Sequence, residues 1–514
     1  MKLHWADLTV FIAFFVLVIG VSMFKSRKGR TGEDFFLAGR GLVWPLIGFS
    51  LIAANISTEH FVGMSGQGAG PAGLAVASYE WMAAITLVVV ALFFLPKFLK
   101  AGIYTIPEYL EYRYSPAARG IMAFYLLIIY VAVSIAAVVY TGALALYTIF
   151  GIDLVKSVWL IGIIAAVYTT WGGLKAVAWA DLFQGSALIL GGLVTLIVGL
   201  KAVGGVGLFA QANADKLHVI LPASHPVIPW TTLLVGLWIP NFYYWGLNQF
   251  ITQRTLAAKS LRQGQLGILF AAGLKLLIPF IIIMPGIISW QLYKAQLTAP
   301  GATTDQAYPL LIKNLVGPGL RGFILAAIAG AVISTLGSLL NSEATLLTMD
   351  IYKRHLRKNA TGKSLILIGR ASTLVFVVAV CLIAPQLGNP KFKGIFNYIQ
   401  EFQGFISPGI LAAFVFGLFV KKAPRSAGVV SLLVSVPIYG LLMWQFGSIA
   451  FLNRIAITFV IMLAVLAVMT ALRPLREPVV MPVQQGFDMT PSREIRWLGP
   501  LIVATTVVLY IIFR

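Results

Sequence analysis

Residues 50–68 read SLIAANISTEHFVGMSGQG. The stretch lies within an apolar run, yet Asn55, Ser57, Thr58, Glu59 and His60 place a polar block at its middle. In hydrocarbon a charged side chain at mid-span costs on the order of 2.5–3.5 kcal/mol on insertion scales. Such a block persists only where protein or water shields it from lipid. Ser50, Ala53, Ala54, Gly63, Ser65 and Gly66 around it are small enough for the helix to unwind and release backbone carbonyls. A half-broken helix of this kind builds an ion or substrate site near the bilayer midplane.

The whole chain has the composition of a polytopic membrane protein. Of its 514 residues, 59% are hydrophobic and 11% charged, with a mean hydropathy of +0.90. Runs of about 17–30 apolar residues, each long enough to cross a bilayer, occur at 5–24, 43–66, 73–95, 119–150, 157–172, 177–201, 231–254, 264–293, 320–350, 363–385, 395–420, 425–446, 449–472 and 496–513. The fold class expected is therefore all-α, with about fourteen transmembrane helices. Only Lys2 precedes the first run as a basic residue and no small-residue cleavage site follows it, so that run reads as a span and not as a signal peptide. Cys381 is the sole cysteine, which excludes an internal disulfide.

The net charge of +21 reads as topology. With the N-terminus outside, most Lys and Arg fall in cytoplasmic connections, above all 25–42, 351–363 and 473–496. Lys275, Arg321, Arg370 and Arg454 are the exceptions, within or at the edges of spans. This bias puts both termini outside. Anionic membrane lipid is then the polyanion expected, with no nucleic acid partner. No phosphate-binding loop pattern, nucleophile elbow or metal-ligand cluster occurs, so an ATP-driven pump, a membrane enzyme and a transition-metal site are not expected.

A second polar interruption, WIPNFYYWGLNQFITQR at 238–254, opens the seventh run. Pro240 is expected to remove a backbone bond there. The two interrupted spans begin consecutive blocks of five, 43–201 and 231–420. An odd number of spans per block inverts the second block relative to the first, the arrangement of secondary transporters. The whole chain then reads as one transporter domain, with 1–42 as an extra helix and basic loop and 425–514 as three further helices.

Candidate site residues follow from chemistry. Ala331, Ser334 and Thr335 share one helical face, continued by Ser338 and Asn341. That face serves either close helix packing or, with carbonyls freed near Ala53 and Ile56, a neutral oxygen cage for sodium. Glu80 and Lys275 lie well inside spans and form either a structural ion pair or part of a polar ring with His60, Asn55, Asn241 and Gln400. Such a ring pairs the hydroxyls of a polyol and rejects apolar analogues. Tyr243, Tyr244 and Trp245 offer rings to stack on a sugar. The fourth span carries no cation to meet a carboxylate, which favours a small neutral substrate.

At SLIAANISTEHFVGMSG (50–66), ASYEWMAAITL (77–87), GIYTIPEYLEYR (102–113), YYWGLNQFITQRTLAAKS (243–260), LLNSEATLLTMDIYK (339–353) and YIQEFQGFISPGILA (398–412) the chain resembles the sodium/solute symporter family, above all its bacterial sodium/galactose and sodium/glucose branch. The resemblance implies a five-plus-five inverted repeat of LeuT type, with one extra helix before it and three after. It places sodium on the carbonyls of Ala53, Ile56 and Ala331 and the hydroxyls of Ser334 and Thr335. Asn55, His60, Glu80, Asn241, Lys275 and Gln400 would hold the sugar, with Tyr244 as inner gate beside Tyr243 and Trp245. Asp181 matches an aspartate on the sodium exit path or a second-ion site. His60 stands where those relatives carry glutamine, Ala83 where they carry serine and Ala180 where threonine is common.

The function expected is sodium-coupled monosaccharide uptake across a bacterial inner membrane, with sodium as coupling ion and no covalent cofactor. A proton-coupled symporter using Glu80, His60 or Asp181, a sodium symporter for another polyol or small organic solute, and a sensor or channel are the alternatives.

Overall fold

The computed structural model describes residues 4–26, 36–388 and 395–514, with side chains at 168 and 170–173 excepted. Among the described residues, eleven helices are long and apolar enough to cross a membrane, from Trp5–Lys25 to Ile495–Ile512. Trp44–Asn55 and Leu154–Val167 are shorter apolar helices. Together with the interrupted segment from Trp238 to Leu256, these elements occupy the apolar runs of the sequence. Among the described residues, the only β-type pairing is an isolated bridge between Leu42 and Ala258.

Burial separates a central body from a lipid-facing shell. In the most apolar window of Leu320–Leu356, 83% of residues are buried, and in Gly73–Ala101, Pro116–Phe150 and Ile395–Phe419 the share is 67%. The corresponding share is 17% in Trp5–Lys25 and 22% in Phe451–Leu472 and Ile495–Ile512. Lipid tails solvate Leu and Ile as well as protein does, so these outer helices need polar or close-packed anchors. Asp7 supplies one. It accepts the Gly319 and Gly322 N–H groups at 2.8 and 3.0 Å and pairs with Arg321 at 2.5 Å. A Cβ on Gly322 would lie 2.4 Å from the Asp7 carbonyl, so only glycine allows the approach. At the other end of the chain, Glu401 joins Arg454 at 2.6 Å and the Tyr439 hydroxyl at 2.9 Å.

The first expected break is present. Helix Trp44–Asn55 stops at Ile56, which is extended (φ −77°, ψ 100°), and the chain resumes as a wide π-type turn, Glu59–Met64, before Ser65–Ala69. Thr58 Oγ1 meets Thr141 Oγ1 at 2.7 Å, so the polar block is taken up by a neighbouring span and kept from lipid.

The second break lies elsewhere than Pro240. Pro240 is the third residue of helix Trp238–Phe242, in a first turn where its missing N–H breaks no intrahelical bond. The chain opens instead at Asn248 (φ −83°, ψ 122°), after the π-type turn Tyr243–Leu247 and before helix Gln249–Leu256. Tyr130 repairs the gap. Its hydroxyl bonds Asn248 Oδ1 and accepts the Phe250 N–H at 3.0 Å. A second difference concerns 154–202. The sequence suggested two spans divided between 172 and 177, whereas helical backbone runs from Leu154 to Ala202 without a break. No proline falls in this stretch to remove a donor.

The end of the molecule expected to face the cytoplasm is tied by charge. Arg119 bonds Asp350 at 2.5 Å and Glu111 at 2.9 Å, and Arg354 bonds Glu111 at 2.6 Å. Outside the spans, Glu111 is held below the ordinary carboxylate range, because the Arg119 and Arg354 guanidinium groups outweigh the opposing effect of burial. A cavity of about 470 Å³ opens here between Phe36, Tyr104, Glu108, Lys353 and Lys358.

At the opposite end Asp305 closes over the broken helix. It sits in the turn Thr304–Gln306, outside the spans, and Gly66 packs so closely on it that a Cβ there would lie 2.7 Å from Asp305 Oδ1. Burial pushes its carboxyl up to about 7, offset only in part by the Ile395 N–H. The folded protein therefore holds a proton that the unfolded chain releases near pH 4. Its contribution to stability is full below the unfolded pKa and is lost as pH rises toward 7. We expect the melting temperature in detergent to fall from pH 4.5 to 7 more steeply in wild type than in Asp305→Asn. Equal slopes would rule Asp305 out as the titrating group.

Candidate functional site

Two polar clusters meet at the first break. In one, Lys275, fully buried on helix Leu261–Leu297, bonds Glu80 Oε2 and Asn55 Oδ1. Its ammonium lies 4.8 Å from the centre of the Trp245 ring. The other Glu80 oxygen faces His60 Nε2 at 3.5 Å, and Asn55 Nδ2 donates to the Tyr244 hydroxyl at 2.9 Å. Among the described residues, His60 Nδ1 is buried without a hydrogen-bond partner. The cluster thus joins residues from both sides of the first break, the third-span helix Ser78–Val89, the π-type turn of the second broken segment and the helix after it.

Asn55, His60, Glu80, Lys275, Tyr244 and Trp245 therefore stand together, and the ion pair weighed as a structural alternative is present between Glu80 and Lys275. Among the described residues, no hydrogen bond ties Asn241, Tyr243 or Gln400 to them. Asn241 turns back to the Leu237 carbonyl of its own helix at 3.0 Å. The buried Tyr243 hydroxyl lacks a partner, and Gln400 is half-buried.

The second cluster joins the first break to helix Leu320–Thr345. Thr335 Oγ1 donates to the Ala54 carbonyl at 3.0 Å and reaches the Ala53 carbonyl at 3.5 Å. Ala331, one turn earlier, is fully buried. Ile56 sits at the break itself. Ser334 turns the other way and donates to Asp181 at 2.5 Å. Asp181 also accepts from Ser50, and Arg254 lies beside it at 3.8 Å. Arg254 is fully buried, although the sequence reading counted it with the basic residues outside the spans. Its role was missed because it follows the polar run NQFITQ at the end of a span; the available signal was Ser338, four residues beyond Ser334 on the face that Arg254 meets.

Oxygen ligands without net charge and a paired carboxylate and ammonium beside them suit movement of an ion and a solute, not bond chemistry. Residues 35–435 match the profile of the sodium:solute symporter family. The chain belongs to that family. The symporter is 42% identical over 492 residues to the sodium/glucose cotransporter of Vibrio parahaemolyticus, covering 90% of each chain. It is 34% identical over 456 residues to sodium/glucose cotransporter 1 of Ovis aries, covering 81% of this chain and 68% of that protein. In structure it resembles a Na+-coupled sialic acid symporter in a substrate-bound outward-open state, with a TM-score of 0.82, 23% identity and coverage of 93% and 100%. Its fold is thus the LeuT type of sodium symporters. The symporter is an integral membrane transporter and not an enzyme.

Proposed function

We propose that the symporter couples inward sodium movement to uptake of a glucose- or galactose-like monosaccharide across a bacterial inner membrane, with both termini outside. The observation that carries this reading is the Glu80–Lys275–Asn55–His60 cluster against Tyr244 and Trp245. One carboxylate and one ammonium balance in charge, which suits a neutral ligand rich in hydroxyls. Sugar hydroxyls replace the bonds these groups make to each other, and an apolar analogue leaves them unpaired. The sugars named for the Vibrio and sheep relatives agree with that chemistry.

In this reading sodium is held by the Ala53, Ile56 and Ala331 carbonyls and the Ser334 and Thr335 hydroxyls. It fixes the open segment at Ile56 against helix Leu320–Thr345 and so orders Asn55 and His60 for the sugar. The coupling is reciprocal, so sugar must tighten sodium binding by the same factor. The blocks 43–201 and 231–420 act as the inverted repeats that rock about this site, with Tyr244 between sugar and cytoplasm. One sodium crossing about 100 mV gains roughly 2.3 kcal/mol, and a tenfold gradient adds about 1.4, enough for about 500-fold accumulation.

The test is sugar binding in detergent, followed as a rise in melting temperature with and without sodium. Glucose or galactose should stabilise the protein only with sodium, and inositols and small acids should do so less. Stabilisation by protons with no sodium effect would transfer the coupling role to the carboxylates. Gln400→Ala should weaken apparent sugar affinity severalfold at unchanged sodium dependence; an unchanged affinity removes Gln400 from the pocket.

A further inference from the structure

Tyr130 is fully buried within the span Pro116–Phe150, at the first residue of a π-type turn, Tyr130–Ile135. Turns of this kind recur where a helix serves a function other than packing. The Tyr130 hydroxyl donates to Asn248 Oδ1 and accepts the Phe250 N–H at 3.0 Å. One oxygen thus serves a side chain and a backbone donor at the second break, where helical bonding lapses. Tyr130 falls in the block 43–201 and its partners in the block 231–420, so these bonds cross from one half of the chain to the other.

Phe250 carries the contact further. Its ring makes edge contacts with the Tyr130 ring, at 5.9 Å between centroids, and with the Tyr244 ring, at 5.5 Å. Tyr244 in turn accepts from Asn55 Nδ2 at 2.9 Å, one residue past the Ala54 carbonyl that Thr335 bonds. Bonds and ring contacts therefore run without a gap from the span Pro116–Phe150 to the first break.

We propose that Tyr130 is the positioning residue of the inner gate. Its hydroxyl latches the second broken segment to the span Pro116–Phe150, sets Phe250 against Tyr244, and lets go as the symporter opens to the cytoplasm. The inference rests on the proposed function, which puts Tyr244 between sugar and cytoplasm, and it assigns the hold on that gate to a residue outside both the ion and the sugar clusters. While the inner end is closed, the Phe250 N–H and the Asn248 amide depend on Tyr130, because a buried polar group left unpaired is costly. Once the inner end is open, water takes its place. The latch therefore weights the closed inner end over the open one, and with it the share of molecules that face outward.

The experiment uses Tyr130→Phe, which keeps the ring and removes the hydroxyl alone. Sodium-activated glucose transport would be measured in right-side-out and in inside-out vesicles, so that sodium is titrated on one face at a time. Apparent affinity follows the fraction of molecules that present the site to that face. Half-saturating sodium should rise roughly 2- to 10-fold at the outer face and fall at the inner face. Damage to the ion site itself would move both faces in the same direction. Asn248→Ala removes one partner and leaves the Phe250 N–H bonded, so it should shift the two faces in the same opposed sense by less; it carries the test if Tyr130→Phe does not fold. Shifts of the same sign at both faces, or wild-type values at both, would overturn the proposal. Labelled-sodium exchange without sugar yields the same two half-saturation values. A wild-type protein that moves no glucose would thus contradict the proposed function, and the latch would still be read from sodium.

Discussion

Lys275→Met should abolish sugar uptake at ordinary sugar concentrations and also lower the stability of the protein. Lys275 is the shared donor to Glu80 and Asn55, and it stands over Trp245. Removing one member of a buried ion pair strands the other in a low dielectric, at a cost of about 3–5 kcal/mol. His60 is the remaining neighbour of Glu80, and its Nε2 lies 3.5 Å away. Replacing both charges, as in Lys275→Met with Glu80→Gln, removes the stranded charge. The double variant should therefore recover most of the lost stability while sugar uptake stays absent. Melting temperature and labelled-glucose uptake, measured on the same preparations, separate the two effects. Normal uptake by Lys275→Met would remove this cluster from the sugar pathway.

The second large effect falls on the ion. Thr335 Oγ1 is a side-chain oxygen that reaches the Ala53 and Ala54 carbonyls, where helix Trp44–Asn55 ends and loses its own bonds. Thr335→Ala leaves those carbonyls without that donor and takes one ligand from the proposed cage. A lost partner of this kind costs about 1–3 kcal/mol, so half-saturating sodium should rise roughly 5- to 150-fold. The order of preference among sugars should stay the same, because Thr335 bonds the Ala53 and Ala54 carbonyls and no side chain of the proposed sugar cluster. Thr335→Ser should restore most of the sodium affinity, since it returns the hydroxyl. Sodium activation curves at saturating sugar decide the matter. A wild-type curve for Thr335→Ala would remove Thr335 from the ion site.

The parts of this architecture that can be read from sequence are those with a local physical signature. A polar block inside an apolar run has few solutions in a bilayer, and the break at Ile56 lies within the stretch that such reasoning marks. Thr335, on the Ser334 face, likewise meets the broken helix, because a spacing of three to four fixes a helical face regardless of the remainder of the fold. The second break was harder. Proline is the conspicuous breaker in 238–254, but a proline in a first turn disturbs nothing, and the extended residue is Asn248. What permits it is Tyr130, a residue more than a hundred positions away, which supplies the missing bonds.

Arg254 illustrates the same limit. At the end of a span, near Lys259 and Arg262, it reads as one more cytoplasmic cation. Only the folded chain brings it against Asp181, Ser50 and Ser338. The proposed sugar ring is legible as a set of residue types, and the structure joins its charged members. Asn241 shows why types alone do not complete a ring, since its amide is engaged by the preceding turn of its own helix. The charge bias that reads as topology is also visible in the chain, and much of it rests on loops such as 351–363 that flank the Arg119–Asp350 network.

The central claim is that sodium movement drives sugar accumulation, and uptake into proteoliposomes tests it most directly. Labelled glucose or galactose would be followed under inward sodium, potassium or proton gradients of equal size. The account predicts accumulation above equilibrium with sodium alone, abolished when the sodium gradient is collapsed. Accumulation driven equally well by protons without sodium, or sugar entry that only equilibrates under every gradient, would contradict it.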